Sequence, residues 1–414
     1  MVAVHVLIDL HWQKAVGGHV KSWMQFAEVA KTCNPNDIDL TIHFHGDRPE
    51  EIPQSNNVRY ITHPPRFSTE RLPFLQDVPS HTDLASFAPS LIPYLEQADV
   101  VHTTHPLFTF GQTAKKFCRQ NNKPLVSSIH TDSALYAKIY LEGKLEKIFG
   151  DSFLTRLLTK TLALPERYKR SLDRKQTDYW NSCSHVWFSQ PSEKEGLVAD
   201  NPDVSISRLR RGLKLDMFSP DLADRSELQR QYSVPEDAFL LLFVGRLDAC
   251  KNVMTYATTL KKLRSRGLNV HGVAAGHGSQ ADRIKDELGS DISLLGNQPQ
   301  AKLGLVYASC DAFVFPSETE TVGNVVLEAK ASGLVPFVSN QGGVTQLIQN
   351  SGTDGFVIAG QDPEDWANAV QAFYEAGDRR SEMSQAANHH VRENWPTWDT
   401  VFKEDLLPHW QKFG

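Results

Sequence analysis

Short apolar runs alternate with longer amphipathic stretches along the chain, which is the pattern of a parallel α/β protein. In the first half we expect strands at 2–10, 38–45, 99–103, 125–129 and 185–189. In the second half we expect them at 239–244, 269–275, 292–295, 312–315, 335–338 and 355–358. Several runs are almost continuously apolar, as in strands that are covered on both faces. The pattern therefore predicts doubly wound parallel sheets.

Polar stretches rich in Pro, Ser and Asp interrupt the pattern at 189–203 and 217–224. Since domains usually have about 100–200 residues, a chain of 414 residues is expected to form two. We place the junction near residue 212. The sequence predicts two Rossmann-like domains, stacked with a cleft between the carboxyl ends of their strands.

Composition and charge exclude several classes of protein. The net charge of −6 argues against an affinity of the whole chain for nucleic acid. The five cysteines are widely spaced, without the pairs typical of a zinc site or a disulfide framework. The first residues read as a strand rather than a signal peptide, and no apolar run approaches the roughly 18 residues needed to span a bilayer. We expect a soluble, cytoplasmic protein.

The stretch 152–175 differs from the rest because it has seven basic residues against two acidic ones. Phe153, Leu154, Leu157, Leu158 and Leu162 recur within it at helical spacing. One interpretation is a basic amphipathic helix that contacts anionic lipid at a membrane surface. The other is a domain helix that buries this apolar stripe.

The segment 315–333 is the densest in candidate chemistry. A helix is expected to begin near Asn324, so the backbone N–H groups of Gly323 and Asn324 would offer donors to a phosphate. Glu328 lies inside this helix among apolar residues, where a carboxylate needs a partner such as ribose hydroxyls or a structural salt bridge. Glu320 precedes it in the loop, where it can accept hydrogen bonds from sugar hydroxyls or be a solvated acid.

A second phosphate candidate follows the apolar run 239–244. Gly245 permits a tight exit from the strand, and Arg246 and Lys251 flank the loop that follows. A guanidinium and an ammonium aimed at one point suit a diphosphate. The alternative is two surface cations at the start of a helix.

Candidates in the first half also lie where strands end. Gly17 and Gly18 permit close backbone approach to a ligand, and His11 and His19 accompany them. His130 and Asp132 follow the run 125–129. Two further patterns are discounted. The stretch 276–281 matches the dinucleotide motif only formally, and His43 with His45 lacks further metal ligands, so solvated or cleft-lining imidazoles are the simpler interpretation.

With these motifs assembled, the sequence resembles glycosyltransferase family 4, the retaining nucleotide-sugar transferases of the two-Rossmann-domain (GT-B) type. The resemblance rests on Gly17-Gly18, the segments 128–132 and 210–218, Gly245-Arg246-Leu247 with Lys251, and Glu320-x7-Glu328. The run 317–326 is most similar to the glycolipid mannosyltransferase and sulfoquinovosyltransferase branch.

The resemblance implies a division of labour. Residues 1–212, with about 398–414 crossing back as a last helix, would bind the acceptor, and 213–397 would bind the donor. Catalytic roles would fall to His130, Glu320, Arg246 and Lys251, and donor binding to Gly17, Gly18, Gly245, Gly323, Asn324 and Glu328. His11 and Asp132 are the acceptor candidates.

The implied reaction moves a hexosyl unit from GDP-mannose or a UDP-sugar to a glycolipid, a polysaccharide precursor or a small molecule. No metal or cofactor is expected, because the basic loop would neutralise the diphosphate. Two alternatives remain open at this point. One is an epimerase or hydrolase of the nucleotide sugar with the same fold, and the other is a non-enzymatic two-lobed ligand-binding protein.

Overall fold

The computed structural model describes residues 1–12, 18–71, 82–130, 133–150, 152–189, 191–200, 202–320 and 322–414, without the side chains of 147 and 191–193. Backbone contacts divide the chain into two compact units. The first unit comprises Met1–Arg211 together with Trp398–Gly414, and the second comprises Gly212–Thr397.

The first unit contains an eight-stranded sheet in the order β3-β4-β2-β1-β5-β6-β7-β8. Its strands are β1 (Val2–His11), β2 (Ile38–His45), β3 (Glu50–Pro53), β4 (Val58–His63), β5 (Val100–Thr103), β6 (Leu125–Ser128), β7 (His185–Phe188) and β8 (Ser205–Arg208). Its helices are α1 (Gly18–Thr32), α2 (Ile92–Gln97), α3 (Thr109–Asn121), α4 (Ser133–Phe149), α5 (Phe153–Arg156), α6 (Leu164–Trp180) and α7 (Pro191–Asp200). Neighbouring strands are parallel, except that the edge strand β3 runs antiparallel to β4.

The second unit contains a parallel sheet in the order β11-β10-β9-β12-β13-β14. Its strands are β9 (Phe239–Val244), β10 (Val270–Ala275), β11 (Ile292–Gly296), β12 (Ala312–Phe315), β13 (Val335–Ser339) and β14 (Phe356–Ile358). Its helices are α8 (Arg225–Tyr232), α9 (Val253–Ser265), α10 (Ala281–Leu288), α11 (Gln300–Ala308), α12 (Asn324–Ala331), α13 (Pro363–Tyr374) and α14 (Arg379–Asn394). The strand order reverses between β9 and β12, and ligands bind at such switch points of open α/β sheets.

The end of the chain returns to the first unit. It forms α15 (Trp398–Val401), a π-helical turn (Phe402–Leu406) and α16 (Leu407–Phe413). Trp410 is fully buried, and its indole Nε1–H donates to His102 Nδ1 at 3.1 Å. Arg210 connects this C-terminal segment to the rest of the first unit, because its guanidinium Nη2 lies 2.7 Å from the carboxylate of Asp405. The sequence expectation that the last helix crosses back to the first domain is confirmed.

A row of buried histidines crosses the first sheet. His5 Nδ1 lies 3.0 Å from His43 Nε2, and His43 Nδ1 lies 2.9 Å from His63 Nε2, on three neighbouring strands. Burial lowers the pKa of His5 and of His63 to about 4 and that of His43 well below its ordinary value. These rings are therefore neutral and part of the core. His43 and His45 are both buried, so of the two simple interpretations, solvated or cleft-lining imidazoles, the solvated one was wrong.

Most expected strands are present with bounds that differ by a residue or two. The sequence pattern missed β3, β4 and β8, and the polar stretch 189–203 contains α7 rather than only a linker. Among the described helices, none is both long and apolar enough to cross a membrane.

Candidate functional site

The two phosphate-binding candidates of the second unit meet at the switch point of its sheet. The loop after β9 carries Gly245, Arg246 and Lys251, and the loop after β12 carries Glu320. Because β9 and β12 are adjacent parallel strands, both loops leave the same edge of the sheet. The topology thus brings together groups that are about 70 positions apart in sequence.

An ion pair joins the two loops. Lys251 Nζ contacts Glu320 Oε1, and both side chains are largely buried. Ser317 Oγ also donates to Glu320 Oε1 at 3.3 Å, and the Glu320 carbonyl accepts from the Gly343 N–H at 2.7 Å. The carboxylate is therefore held in one place beside the ammonium group.

Further hydrogen bonds fix the spacing of the two loops. Asn252 Nδ2 donates to the Pro316 carbonyl at 3.1 Å, and Thr319 Oγ1 donates to the Cys250 carbonyl at 3.0 Å. Gln361 Nε2 donates to the same Pro316 carbonyl at 3.1 Å. These contributors were not predicted from the sequence, and Gln361 gave no signal because it follows a different strand, β14.

Arg246 has a neighbouring carboxylate. Its Nη1 lies 3.3 Å from Asp248 Oδ2, and both side chains are partly buried. Asp248 was not among the predicted site residues. An acid two positions after an arginine in a tight loop nevertheless indicates that the two side chains can form an ion pair. The pair holds the guanidinium over the loop after β9.

Two glycines in the loop after β10 allow it to approach the loop after β9 closely. A Cβ on Gly276 would lie 1.8 Å from the Gly245 carbonyl oxygen, and one on Gly278 would lie 2.4 Å from the Leu247 carbonyl oxygen. Leu247 and His277 also share a backbone hydrogen bond of 3.1 Å. Gly276 and Gly278, the glycines that formally match the dinucleotide motif, are therefore explained by the close backbone packing of their loop against the Gly245 loop.

Helix α12 supplies the other half of this site. Gly323 precedes its first residue, Asn324, with a φ of 87° that glycine adopts readily. Glu328 lies on the second turn of α12, and its Oε2 accepts from the Tyr307 hydroxyl at 3.1 Å. The carboxylate thus has a protein partner in the Tyr307 hydroxyl, and its contact with ribose hydroxyls stays a prediction.

The same helix carries a fully buried cation. Lys330 Nζ donates to the Leu347 carbonyl at 2.7 Å, to Asp354 Oδ2 at 2.5 Å and to His390 Nδ1 at 2.6 Å. Its three N–H groups thus have three acceptors. This cluster ties α12 to the loop before β14 and to α14, and the sequence analysis did not identify it.

In the first unit, His130 lies in a polar cluster after β6. Trp23 Nε1 donates to its Nε2 at 3.1 Å, and Arg211 Nη2 lies 2.8 Å from its Nδ1. Burial, followed by the neighbouring His19 and Arg211, lowers the pKa of His130 well below its ordinary value. A neutral ring has one accepting nitrogen and cannot satisfy both of these donors at once.

His19 stacks on His130, with ring centroids 4.3 Å apart. Both of its ring nitrogens are buried, and neither has a hydrogen-bond partner among the residues that the structure describes. Gly18 is exposed at the start of α1, and His11 Nε2 lies 3.4 Å from Asp47 Oδ1. Gly17 and Asp132 lie outside the described residues.

Within the described parts of the chain, no group of three or more His, Cys, Asp or Glu side chains is arranged to hold a metal ion.

Comparisons with known proteins find a family match within the second unit. Residues 224–390 match the family model described as "Glycosyl transferases group 1". A D-inositol 3-phosphate glycosyltransferase of Corynebacterium kroppenstedtii is 32% identical over 199 residues, which cover 44% of this chain and 44% of that protein. One of Thermobifida fusca is 28% identical over 311 residues, 71% of this chain and 65% of that protein. The matches thus span about half to two thirds of these relatives.

Solved structures share the fold over the whole chain. Sucrose-phosphate synthase from Thermosynechococcus elongatus superposes with a TM-score of 0.72 at 17% identity, covering 100% of this chain and 99% of that one. Anabaena Alr3699/HepE, solved in complex with UDP-glucose, gives a TM-score of 0.68 at 15% identity and covers 100% of both chains. The predicted fold of two Rossmann-like domains is confirmed. Residues 224–390, which contain the candidate site of the second unit, are thus similar in sequence to the glycosyl transferases group 1 family.

Proposed function

We propose that this chain is a retaining glycosyltransferase that moves a hexosyl unit from a nucleoside diphosphate sugar to an acceptor hydroxyl. The observation that carries the proposal is the Lys251–Glu320 pair, which lies at the switch point of a glycosyl transferases group 1 domain. Arg246 on the same loop, and the start of α12 near Glu320, surround it with further anion-binding groups.

Each group then has a role in holding the donor. Arg246 and Lys251 bind the diphosphate, assisted by the backbone of Gly245, Gly323 and Asn324. Glu328 binds the ribose hydroxyls, with its carboxylate oriented by Tyr307. In the first unit, Gly17 and Gly18 bind the diphosphate through their backbone.

Binding of the donor exchanges the partner of Lys251. The ammonium group cannot serve the diphosphate fully while it neutralises Glu320, so the phosphate oxygens compete with this carboxylate. Glu320 is then released to accept hydrogen bonds from the hydroxyls of the transferred sugar. The two members of this ion pair thus bind different parts of the donor, Lys251 the diphosphate and Glu320 the sugar.

The chemical step breaks the bond between the anomeric carbon and the diphosphate oxygen and forms a bond to the acceptor oxygen on the same face. The acceptor proton passes to the departing phosphate oxygen, which yields the nucleoside diphosphate. Arg246 and Lys251 stabilise the charge that grows on this oxygen. His130, neutral because of its burial, supports the oxocarbenium-like sugar without repelling its positive charge.

The acceptor is the finer part of the proposal. The curated relatives are named for transfer to D-inositol 3-phosphate, whereas the run 317–326 is most similar to the glycolipid branch. We assign His11 and Asp132 to the acceptor. Assays that offer the donor with inositol 3-phosphate and with a lipid-linked acceptor separate these classes.

Calorimetry and product analysis test the function. Lys251→Ala should weaken binding of the preferred nucleoside diphosphate about ten- to a hundredfold, because hydrogen bonds to charged groups are worth about 1.5–3 kcal/mol. Glu320→Gln should bind the free diphosphate at least as tightly as wild type, since it removes the competing carboxylate, yet turn over far more slowly. Lys262→Ala, which breaks an exposed pair with Glu364, is the matched control and should change neither.

Three outcomes would contradict the proposal. Equal nucleotide affinity in wild type and Lys251→Ala would remove this loop from the donor site. An inverted product anomer by NMR would exclude retention. Turnover of the nucleotide sugar that is complete without acceptor would favour the epimerase or hydrolase.

A further inference from the structure

An exposed apolar surface lies on the helices that follow His130 in the first unit. We define the 148–175 surface by the end of α4, by α5, by the π-helical turn Leu157–Thr161 and by the first three turns of α6. Phe153 is 80% exposed and Ile148 is 66% exposed. The other large apolar side chains exposed on this surface are Phe149, Leu154, Leu162, Leu164 and Tyr168.

These side chains are not part of a domain core. The described apolar residues between 148 and 168 belong to none of the hydrophobic clusters that fill the two units. The interpretation that this segment buries its apolar stripe is therefore contradicted at Phe153, Leu154 and Leu162. Monomeric soluble proteins rarely expose contiguous apolar patches larger than a few hundred Å², so a cluster of exposed large apolar side chains favours an interaction surface.

Basic side chains are interleaved with the apolar ones. On α6, Leu164, Arg167, Tyr168 and Lys175 are all exposed and recur at a spacing that places them on one face of the helix. Lys160 and Arg174 are exposed nearby.

The two acidic residues that the structure describes on this surface are already neutralised. Glu166 pairs with Lys138 of α4, and Lys169 Nζ donates to Asp173 Oδ2 at 2.9 Å. In contrast, no ion pair within the described residues involves Lys160, Arg167, Arg174 or Lys175. The surface thus presents unneutralised positive charge in a chain whose net charge is −6.

We propose that the 148–175 surface docks the first unit on an anionic membrane, with Phe153 and Leu154 inserted among the lipids and the basic face of α6 against the headgroups. Apolar side chains surrounded by Lys and Arg match both the hydrocarbon boundary and the negative charge of such a surface. The positive charge favours lipid over a second copy of this chain, since two copies would bring like charges together.

Vesicle co-sedimentation of the full chain tests the docking surface. Wild type should bind vesicles of phosphatidylcholine with phosphatidylglycerol at low salt and should dissociate near 1 M salt, where the Debye length falls to about 3 Å. Changing Lys160, Arg167 and Arg174 together to Gln should weaken partition by about a hundredfold, at about fivefold for each cation.

Two further variants separate the contributions. Phe153→Ser with Leu154→Ser should lose binding while keeping the charge. The matched control changes Lys261, Lys302 and Arg379 of the second unit to Gln, which alters net charge equally and should leave vesicle binding at the wild-type level. Circular dichroism and nucleotide binding confirm that each variant is folded.

The contrary results are clear. If wild type ignores anionic vesicles at low salt, or if the control variant loses as much binding as the surface variant, the docking proposal is overturned. It is overturned as well if gel filtration shows a dimer that Phe153→Ser with Leu154→Ser dissociates, because the surface then joins two copies of the chain. None of these readouts depends on glycosyl transfer.

Discussion

Replacing Lys330 by Met tests whether the buried cation holds α12 in place. The lysine side chain is 0% exposed, and Asp354 is 3% exposed. Removing one partner of a buried ion pair leaves an uncompensated charge and costs about 3–5 kcal/mol. Asp354 keeps hydrogen bonds from the backbone N–H groups of Gln349 and Asn350, at 3.1 and 2.9 Å, so we expect a loss near 3 kcal/mol.

The loss should depend on pH because of His390. Its Nδ1 lies 3.1 Å from Asp354 Oδ2, and in wild type burial, and then the charge of Lys330, lower its pKa. Without Lys330 this pKa rises, so the protonated ring can replace the ammonium group beside Asp354. A folded-state pKa raised in this way adds stability at low pH and loses it as pH increases. The deficit of Lys330→Met should therefore be smaller at pH 5.5 than at pH 8.

Hydrogen exchange followed by mass spectrometry is the assay, because it reports the opening of α12 separately from the rest of the chain. A loss of about 3 kcal/mol corresponds to roughly hundredfold faster exchange in peptides from 322–332. Lys262→Met breaks an exposed pair and should cost less than about 1 kcal/mol. If Lys330→Met resembles this control, or if its deficit does not change with pH, the reasoning fails.

Three further predictions concern contacts described above. Gly276→Ala places a Cβ 1.8 Å from the Gly245 carbonyl oxygen and should destabilise the chain by about 1–3 kcal/mol or more in thermal unfolding, whereas Gly289→Ala, with open space around it, should cost about 1 kcal/mol. Asp405→Ala removes the more buried of the two carboxylates that pair with Arg210 and should speed amide exchange in Leu407–Phe413 without affecting α12; equal protection would show that this pair does not hold the C-terminal segment. Tyr307→Phe removes the hydrogen bond to Glu328 and should weaken nucleoside diphosphate binding two- to tenfold, yet leave pyrophosphate binding unchanged; a loss for both ligands would refute the ribose assignment.

The sequence predicted the strands that are buried on both faces. The expected runs 38–45, 239–244 and 312–315 coincide with β2, β9 and β12, because parallel strands inside a sheet are nearly continuous in apolar residues. The edge strands β3 and β8 were missed because they lack such an apolar run. Glu50–Pro53 and Ser205–Arg208 are short and polar, and an edge strand needs only one neighbour.

The sequence predicted the candidate residues of each loop separately, but not the contacts between loops. Glycine and basic residues after an apolar run indicated a phosphate-binding loop, but the Lys251–Glu320 pair depends on the strand order, which places β12 beside β9. Gln361 and Lys330 could not be found in this way. Their partners, Pro316 and Asp354, lie 45 and 24 positions away, and no local spacing relates them.

The neutral histidines of the first unit should make its stability more sensitive to acid than that of the second unit. An unfolded histidine takes up a proton near pH 6.5, whereas His5 and His63 resist it until about pH 4, so the folded state loses stability as pH falls across this interval. The same direction of shift holds for His19, His43, His102, His105, His130 and His185 of the first unit. In the second unit it is found for His271 and His390. A fall in pH from about 6.5 to about 4 should therefore destabilise the first unit more than the second, so amide exchange in the two units should diverge as the solution is acidified.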